Sequence, residues 1–168
     1  MTADDSSQYS CAVLTVSDRG ARDEREDTSG PALCRTLEGH GFTVSATEIV
    51  PDEIDDIRRV VTEWIDDRHI DLVITTGGTG LSPRDNTPEA TRPLLDLEIP
   101  GISEKMRMAN SARTPTAILS RGLAGTRKES LIINLPGSEK AALENLQAVI
   151  NALPHALDKL KGSQEDCG

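Results

Sequence analysis

The chain reads as an α/β protein, a three-layer α/β/α domain with a mostly parallel central sheet. Three observations predict this. Short apolar runs alternate with helix-like segments along the chain, the arrangement that builds a sheet covered by helices. Most of those runs are continuously apolar instead of alternating, as in parallel strands buried on both faces. Polar or glycine-rich stretches follow the runs, where open α/β sheets bind ligands.

Ala12-Val13-Leu14-Thr15-Val16 is the first strand, and Ser17-Asp18-Arg19 lies at its carboxyl end. After a charged loop from Gly20 to Asp27, Thr28 or Ser29 caps a helix to about Glu38, with Pro31 in its first turn and Gly39 or Gly41 stopping it. Phe42 to Val50 alternates in part and is placed nearer a sheet edge. Pro51-Asp52 opens the most legible helix, with Ile54, Ile57, Val61, Trp64 and Ile65 on one apolar stripe. Leu72-Val73-Ile74 is the third strand. A helix starts at Thr87-Pro88-Glu89, where Thr87 can cap and Pro88 suits the first position, and runs to about Leu95. Glu98-Ile99-Pro100-Gly101 reads as a turn, and Glu104 to Ala112 as helix. Ala117-Ile118-Leu119 and Leu131-Ile132-Ile133 read as two further strands, and a final helix from Ser138 is kinked or ended by Pro154.

At 168 residues the chain suits one domain, large enough to bury roughly two-thirds of its unfolded surface. Residues 11–162 form that domain, with a disordered segment at 1–10 and a tail at 163–168. Aromatics make up only 2% of the chain, so Val, Ile, Leu and Ala must build the core. The net charge of −10 leaves no basic stripe for nucleic acid. Cys11, Cys34 and Cys167 are odd in number and widely spaced, which favours reduced thiols over a disulfide or zinc framework. No apolar run approaches the length of a membrane span, and the first ten residues lack signal-peptide character, so a cytoplasmic protein is expected.

The chemistry centres on Thr75-Thr76-Gly77-Gly78-Thr79-Gly80-Leu81-Ser82-Pro83-Arg84-Asp85. A strand, a glycine loop and a helix start is the layout in which backbone amides hold phosphate. It is neither a P-loop, since no lysine follows the glycines, nor a dinucleotide fingerprint, since Pro83 occupies the last glycine position. The plain alternative is a tight turn with Arg84 and Asp85 as a surface ion pair. By the carboxyl-end rule, Ser17-Asp18-Arg19, Asp52, the glycine loop, Ser120-Arg121 and the segment from Asn134 to Ser138 should gather on one rim. Asp18, Asp52 and Asp85 would meet Arg19, Arg84, Arg121, Arg127 and Lys128 there. Carboxylates beside a phosphate site suit magnesium, which uses one or two protein carboxylates and takes its other ligands from phosphate and water. Arginine supplies bidentate phosphate contacts. Together these point to phosphoryl or nucleotidyl transfer. Plainer roles stay open: Asp52 as a helix cap, Asp18 paired with Arg19, Arg127-Lys128 as a solvated turn, Ser120 as a strand end.

Thr76-Gly77-Gly78-Thr79-Gly80 with Pro83-Arg84-Asp85 and Thr87-Pro88-Glu89-Ala90 resembles the molybdenum cofactor biosynthesis family typified by MogA and MoaB, which includes the G domains of gephyrin and its plant counterpart. Val16-Ser17-Asp18, Asp27-Thr28-Ser29-Gly30-Pro31, Val50-Pro51-Asp52, Ile99-Pro100-Gly101, Leu119-Ser120-Arg121 and Asn134-Leu135-Pro136-Gly137 extend the likeness over nearly the whole chain. Pro115 to Arg121, Arg127-Lys128 and Leu131 to Gly137 look more like the MogA branch. The resemblance implies adenylylation of molybdopterin: its terminal phosphate attacks the α-phosphate of Mg-ATP and releases pyrophosphate. It implies a homo-oligomer, a trimer with a hexamer as alternative, and a molybdenum-insertion enzyme as partner. It puts catalytic and metal-positioning weight on Asp52 and Asp85. Phosphate and substrate contacts fall to Ser17, Asp18, Thr76, Gly77, Gly78, Thr79, Gly80, Ser82, Arg84, Ser120, Arg121, Lys128, Asn134, Pro136, Gly137 and Ser138. Ile102-Ser103 departs from the family's aromatic-glycine pair, which marks Ile102 as a place where ligand preference could change. A non-catalytic molybdopterin-binding scaffold is the alternative function.

Overall fold

In the computed structural model, residues 9–164 are described; the expected disordered start up to residue 8, Cys167 and the end of the tail lie outside them. Six strands form one sheet: β1 (Ser10–Val16), β2 (Thr43–Val50), β3 (Leu72–Thr76), β4 (Leu97–Glu98), β5 (Ala124–Arg127) and β6 (Ser130–Leu135). Their order is β2-β1-β3-β6-β5-β4. The β2-β1-β3-β6 block is parallel, and β5 runs antiparallel to both β6 and β4. Strand order reverses at β1, with β2 on one side and β3 on the other, and such switch points open a crevice at the carboxyl ends.

Side chains alternate across the sheet because successive residues of a strand point to opposite faces. Cys11, Val13, Leu72, Ile74, Leu131 and Ile133 pack with Leu33 and Leu37 of α2 (Ser29–Gly39), Met106 of α5 (Pro100–Ser111), Leu146 of α6 (Glu139–Val149) and Leu157 of α7 (Leu153–Leu160). Ala12, Leu14, Val16 and Val73 face Ile57, Val60 and Val61 of α3 (Ile54–Thr62), with Trp64 and Ile65 just beyond it. Trp64 is 1% exposed, a core residue whose truncation to alanine would cost roughly 3–5 kcal/mol. With so few aromatics, aliphatic side chains fill both layers.

β2 is an edge strand with alternating exposure, as its pattern implied. Three local expectations are corrected. Ala117-Ile118-Leu119 is not a strand but part of a largely exposed 3₁₀ turn beside α5, Pro115–Leu119; a buried strand would need cover on both faces, and Ile118 and Leu119 are exposed. The strand that pairs with β6 is Ala124–Arg127, whose small, polar sequence carries little apolar signal. Glu98 ends an edge strand, and Pro100 opens α5 instead of closing a turn, as proline's missing N–H allows in the first helical turn. A short helix, α1 (Asp18–Ala21), occupies the start of the expected charged loop, and α4 (Thr87–Thr91) continues as a 3₁₀ turn. The final helix breaks at Ile150–Ala152, and Pro154 then sits in the first turn of α7. Cys11 is buried and Cys34 half-buried, both free thiols; burial pushes Cys11 up to about 12. No helix among the described residues is long and apolar enough to cross a membrane.

Candidate active site

The glycine loop leaves β3 by crossing directly over the end of β1. Gly77 and Gly78 have φ of +105° and +67°, left-handed values that glycine adopts without strain. A Cβ on Gly77 would sit 2.2 Å from the Val16 carbonyl oxygen; one on Gly78 would sit 2.3 Å from Thr87 Oγ1 and 3.2 Å from Asp52 Oδ1. The loop is pinned by Gly77 N–H donating to Leu135 O (3.0 Å) and Thr87 N–H donating to Gly78 O (3.1 Å). Thr87 does not cap α4: its hydroxyl donates to Gly77 O at 2.8 Å, and Asn86 stands at the cap position.

Arg121 holds the far end of the loop. Its N–H donates to Thr79 O (2.9 Å), Nε to Gly80 O (2.8 Å) and Nη2 to Asp85 O (2.7 Å), and Nη1 pairs with Glu89. Each guanidinium nitrogen thus has one protein partner, so Arg121 braces the loop through its carbonyls. Arg121 still reaches the rim, although from a turn and not from a strand end.

The three aspartates gather as expected, with partners of their own. Asp18 N–H donates to Asp52 Oδ2 (2.8 Å), and Asp52 N–H donates to Asp18 Oδ1 (3.0 Å). Asp52 therefore does not cap α3; Glu53 holds that position without a side-chain bond. Asp18 receives a fork from Arg84 (3.0 and 2.9 Å), which also reaches Glu53 at 2.8 Å. Arg84 thus pairs with neither Asp85 nor solvent alone, and Asp18 does not pair with Arg19. The Arg84 hydrogen bonds hold the Asp18 carboxyl below its ordinary value. Asp52 is 9% exposed; burial first, then the charges of Asp18 and Asp85, push its carboxyl up. Asp85 turns inward to accept from Ser82 N–H at 2.9 Å, and a Cβ on Gly80 would meet its Oδ2 at 2.8 Å.

Two cavities open on either side of the loop. The smaller, about 340 Å³, is lined by Ser17, Arg25, Asp27, Asp52, Thr76 and Gly77 among others. The larger, about 610 Å³, is lined by Thr79, Gly80, Asn110, Ser120, Pro136 and Glu144 among others. Gly78, Asp85, Gly137 and Ser138 line both and form the wall between them. Thr76 Oγ1 donates to Pro136 O (2.7 Å) and Ser29 Oγ to Gly137 O (2.7 Å), so the wall is braced from both sides. Ser138 caps α6 through Ala141 N–H, and Ser17 caps α1 through Gly20 N–H.

Lys128, Arg127, Asn134 and Ile102 lie away from the two cavities, and Asp18, Ser82, Arg84 and Arg121 also line neither. Lys128 sits in the β5–β6 turn with φ +52°, at the amino end of β6 and so opposite the rim, where it pairs with Asp66 at 3.0 Å. Arg127 forks onto the same carboxylate at 3.0 and 2.6 Å. Because β5 runs antiparallel to β6, the turn that carries both residues falls at the end of the sheet opposite the rim. Asn134 is 1% exposed and is spent on Thr75 Oγ1, Thr91 Oγ1 and Leu123 N–H, so it ties strands together and lines neither cavity. Ile102 packs against the core and also lines neither. Conversely, Asn110, Glu144 and Asn145 line the larger cavity without any signal beyond polar residues on the inner side of helices. Asp27, whose carboxylate binds Thr15 Oγ1 (2.7 Å) and Gly30 N–H (2.9 Å), lines the smaller one.

Comparison with known proteins gives a consistent picture. Residues 12–155 match the family model described as "Probable molybdopterin binding domain". The chain is 44% identical to a molybdopterin adenylyltransferase of Helicobacter pylori over 90% of its own length and 87% of the relative's. It is 48% identical to the molybdenum cofactor synthesis protein cinnamon of Drosophila melanogaster, over 86% of its length but only 24% of that longer protein. Among solved structures, a molybdopterin biosynthesis enzyme MoaB of Thermus thermophilus superposes with a TM-score of 0.88 at 52% identity, covering 93% of this chain and 98% of that one. A MogA structure gives 0.86 at 36%, covering 90% and 99%.

Proposed function

The chain belongs to the molybdopterin-binding family of molybdenum cofactor biosynthesis, and from that membership we propose that it is a molybdopterin adenylyltransferase acting on molybdopterin and ATP. The observation that carries this reading is the shared wall. Two cavities able to seat two ligands meet at Gly78, Asp85, Gly137 and Ser138, with Asp52 beside them. Phosphate groups entering from the two sides would converge there.

A terminal pterin phosphate oxygen bonds to the α-phosphorus of ATP, the bond from that phosphorus to the bridging oxygen breaks, and pyrophosphate leaves. A phosphate monoester is already anionic near neutral pH, so no side chain needs to act as a strong base. The work left to the protein is positioning and charge stabilisation. The glycine loop lets backbone approach a phosphate closely, Arg25 brings a cation to the mouth of the smaller cavity, and Arg121 keeps the loop in shape.

Magnesium fits the donor set. Among the described residues no cluster of three or more metal-ligating side chains exists, but Asp52 and Asp85 flank the same wall, and one or two carboxylates are what an ion ligated mainly by phosphate and water requires. When bound with ATP, it would neutralise polyphosphate charge. The exposed Leu81, Leu97, Met108, Ile118 and Leu119 offer apolar surface for the trimer, and a molybdenum-insertion enzyme would take the adenylylated product.

The test is pyrophosphate release from molybdopterin and Mg-ATP. Asp85→Asn and Asp52→Ala should each retain the wild-type circular dichroism spectrum and lose at least ~100-fold in turnover. Near-normal turnover in both variants overturns the reading. Molybdopterin binding without adenylylated product in the wild type would make the protein a scaffold instead.

A further inference from the structure

Asp85 is tied on both flanks to the turn that carries Asp52. From one side Arg84 reaches the ends of β1 and β2: Nε and Nη2 fork onto Asp18 at 3.0 and 2.9 Å, and Nη2 also meets Glu53 at 2.8 Å. From the other side Asn86 Nδ2 donates to the Asp52 carbonyl oxygen at 3.2 Å. Asp18 passes the Arg84 contact on to Asp52, because its N–H donates to Asp52 Oδ2 at 2.8 Å while its Oδ1 accepts Asp52 N–H at 3.0 Å. Asn86 stands at the cap position of α4 without a side-chain cap bond, and Arg84 lines neither cavity.

The Arg84 and Glu53 side chains are both more than half exposed, and exposed ion pairs contribute little to stability. The tie is better suited to fixing a distance. Asp52 follows β2 and Asp85 lies beyond β3, and β1 separates those two strands, so no ladder of hydrogen bonds between them sets the spacing of the two carboxylates. Like charges push such carboxylates apart, and the Arg84 guanidinium offsets part of that repulsion where it meets Asp18 and Glu53. Resting on the adenylyltransferase reading, we propose that Arg84 and Asn86 are positioning residues that set the separation of Asp52 and Asp85 for a shared divalent ion, and that Arg84 acts through Asp18 and not on a phosphate. Carboxylates that serve one ion must hold their spacing closely, because a shift of about 1 Å at a reacting centre costs on the order of 100-fold in rate.

The experiment measures pyrophosphate release, calorimetric Mg-ATP binding and thermal unfolding for Arg84→Ala, Asn86→Ala, Asp18→Asn and the Arg84→Ala/Asp18→Asn double variant. Each single variant should lose at least ~10-fold in kcat. Mg-ATP affinity should stay within about twofold, since the ion arrives already bound to the phosphates, and the Tm of Arg84→Ala within about 2 °C. The double variant should lose no more than the worse single one, because residues that act through one contact are not additive. Losses that multiply, together with weakened Mg-ATP binding, would put Arg84 on a phosphate and overturn the proposal. An unchanged kcat in Arg84→Ala overturns it as well, as does a kcat loss that merely tracks a collapse of the Tm. Should Arg84→Ala fail to fold, Asn86→Ala decides by the same three measurements. A wild-type protein that releases no pyrophosphate would sink the adenylyltransferase reading and this proposal with it, a failure visible before any variant is made.

Discussion

Asp18 and Asp52 hold each other's backbone: each carboxylate accepts the other residue's amide N–H, at 3.0 and 2.8 Å. The ends of two adjacent parallel strands are thereby locked with two negative charges side by side. Arg84 pairs with Asp18 from outside, which leaves Asp52 as the buried carboxylate without an ion-pair partner at the edge of the cavity.

Asp52 should therefore carry a cost in stability. Its folded-state carboxyl lies above the ordinary value of 3.8, so its ionisation disfavours the fold, and stability falls as pH rises from 3.8 through the raised value. Asp52→Asn keeps an acceptor for Asp18 N–H. It should raise the Tm at pH 7 by about 2–4 °C, the effect of roughly 1 kcal/mol in a domain of this size, with no gain below pH 3.5, while turnover collapses. Thermal scans at the two pH values check this.

Asp66 shows the opposite sign. The Arg127 fork, helped by Lys128, holds it at about 2, so its contribution is full above 3.8 and is lost as pH falls toward 2. Asp66→Asn should lower the Tm at pH 7 but not near pH 2. Lys128→Ala should leave turnover within twofold, because its ammonium lies at the other end of the sheet from the cavities.

Gly77→Ala is expected to be destabilising by more than ~1 kcal/mol, since its new Cβ meets the Val16 backbone oxygen at 2.2 Å with φ at +105°. Gly39→Ala meets nothing within 4 Å and lies in a helix, where it should be neutral or stabilising by about 0.5–1 kcal/mol. Urea titration of both variants distinguishes them.

Arg121→Lys should fail to rescue what Arg121→Ala loses. An arginine that binds phosphate as a point charge tolerates lysine in part. One that bridges the carbonyls of Gly80 and Asp85 does not, since an ammonium lacks the planar fork. Both variants should lose at least ~10-fold in kcat, with equal losses; recovery by lysine would return Arg121 to direct phosphate contact.

The sheet, its helical cover and the glycine loop follow from local chemistry that the chain displays openly. Continuous apolar runs such as Leu72 to Ile74 must be buried on both faces, the Ile57–Val61–Trp64 stripe must pack, and left-handed turns select glycine. The carboxyl-end rule likewise brought Ser17, Asp52, Gly78, Asp85 and Gly137 to one rim without any contact being known. The destination of each polar side chain lay beyond this reach. Asn134, Arg121 and Lys128 are as polar as Asp52 in sequence, yet the first two are consumed by backbone and side-chain partners distant in the chain, and the third is carried to the wrong end by a strand with almost no apolar signature. Periodicity records which face is dry. Which buried acceptor remains unmatched, as Asn110 Oδ1 does, depends on partners that only three-dimensional packing brings within hydrogen-bonding distance.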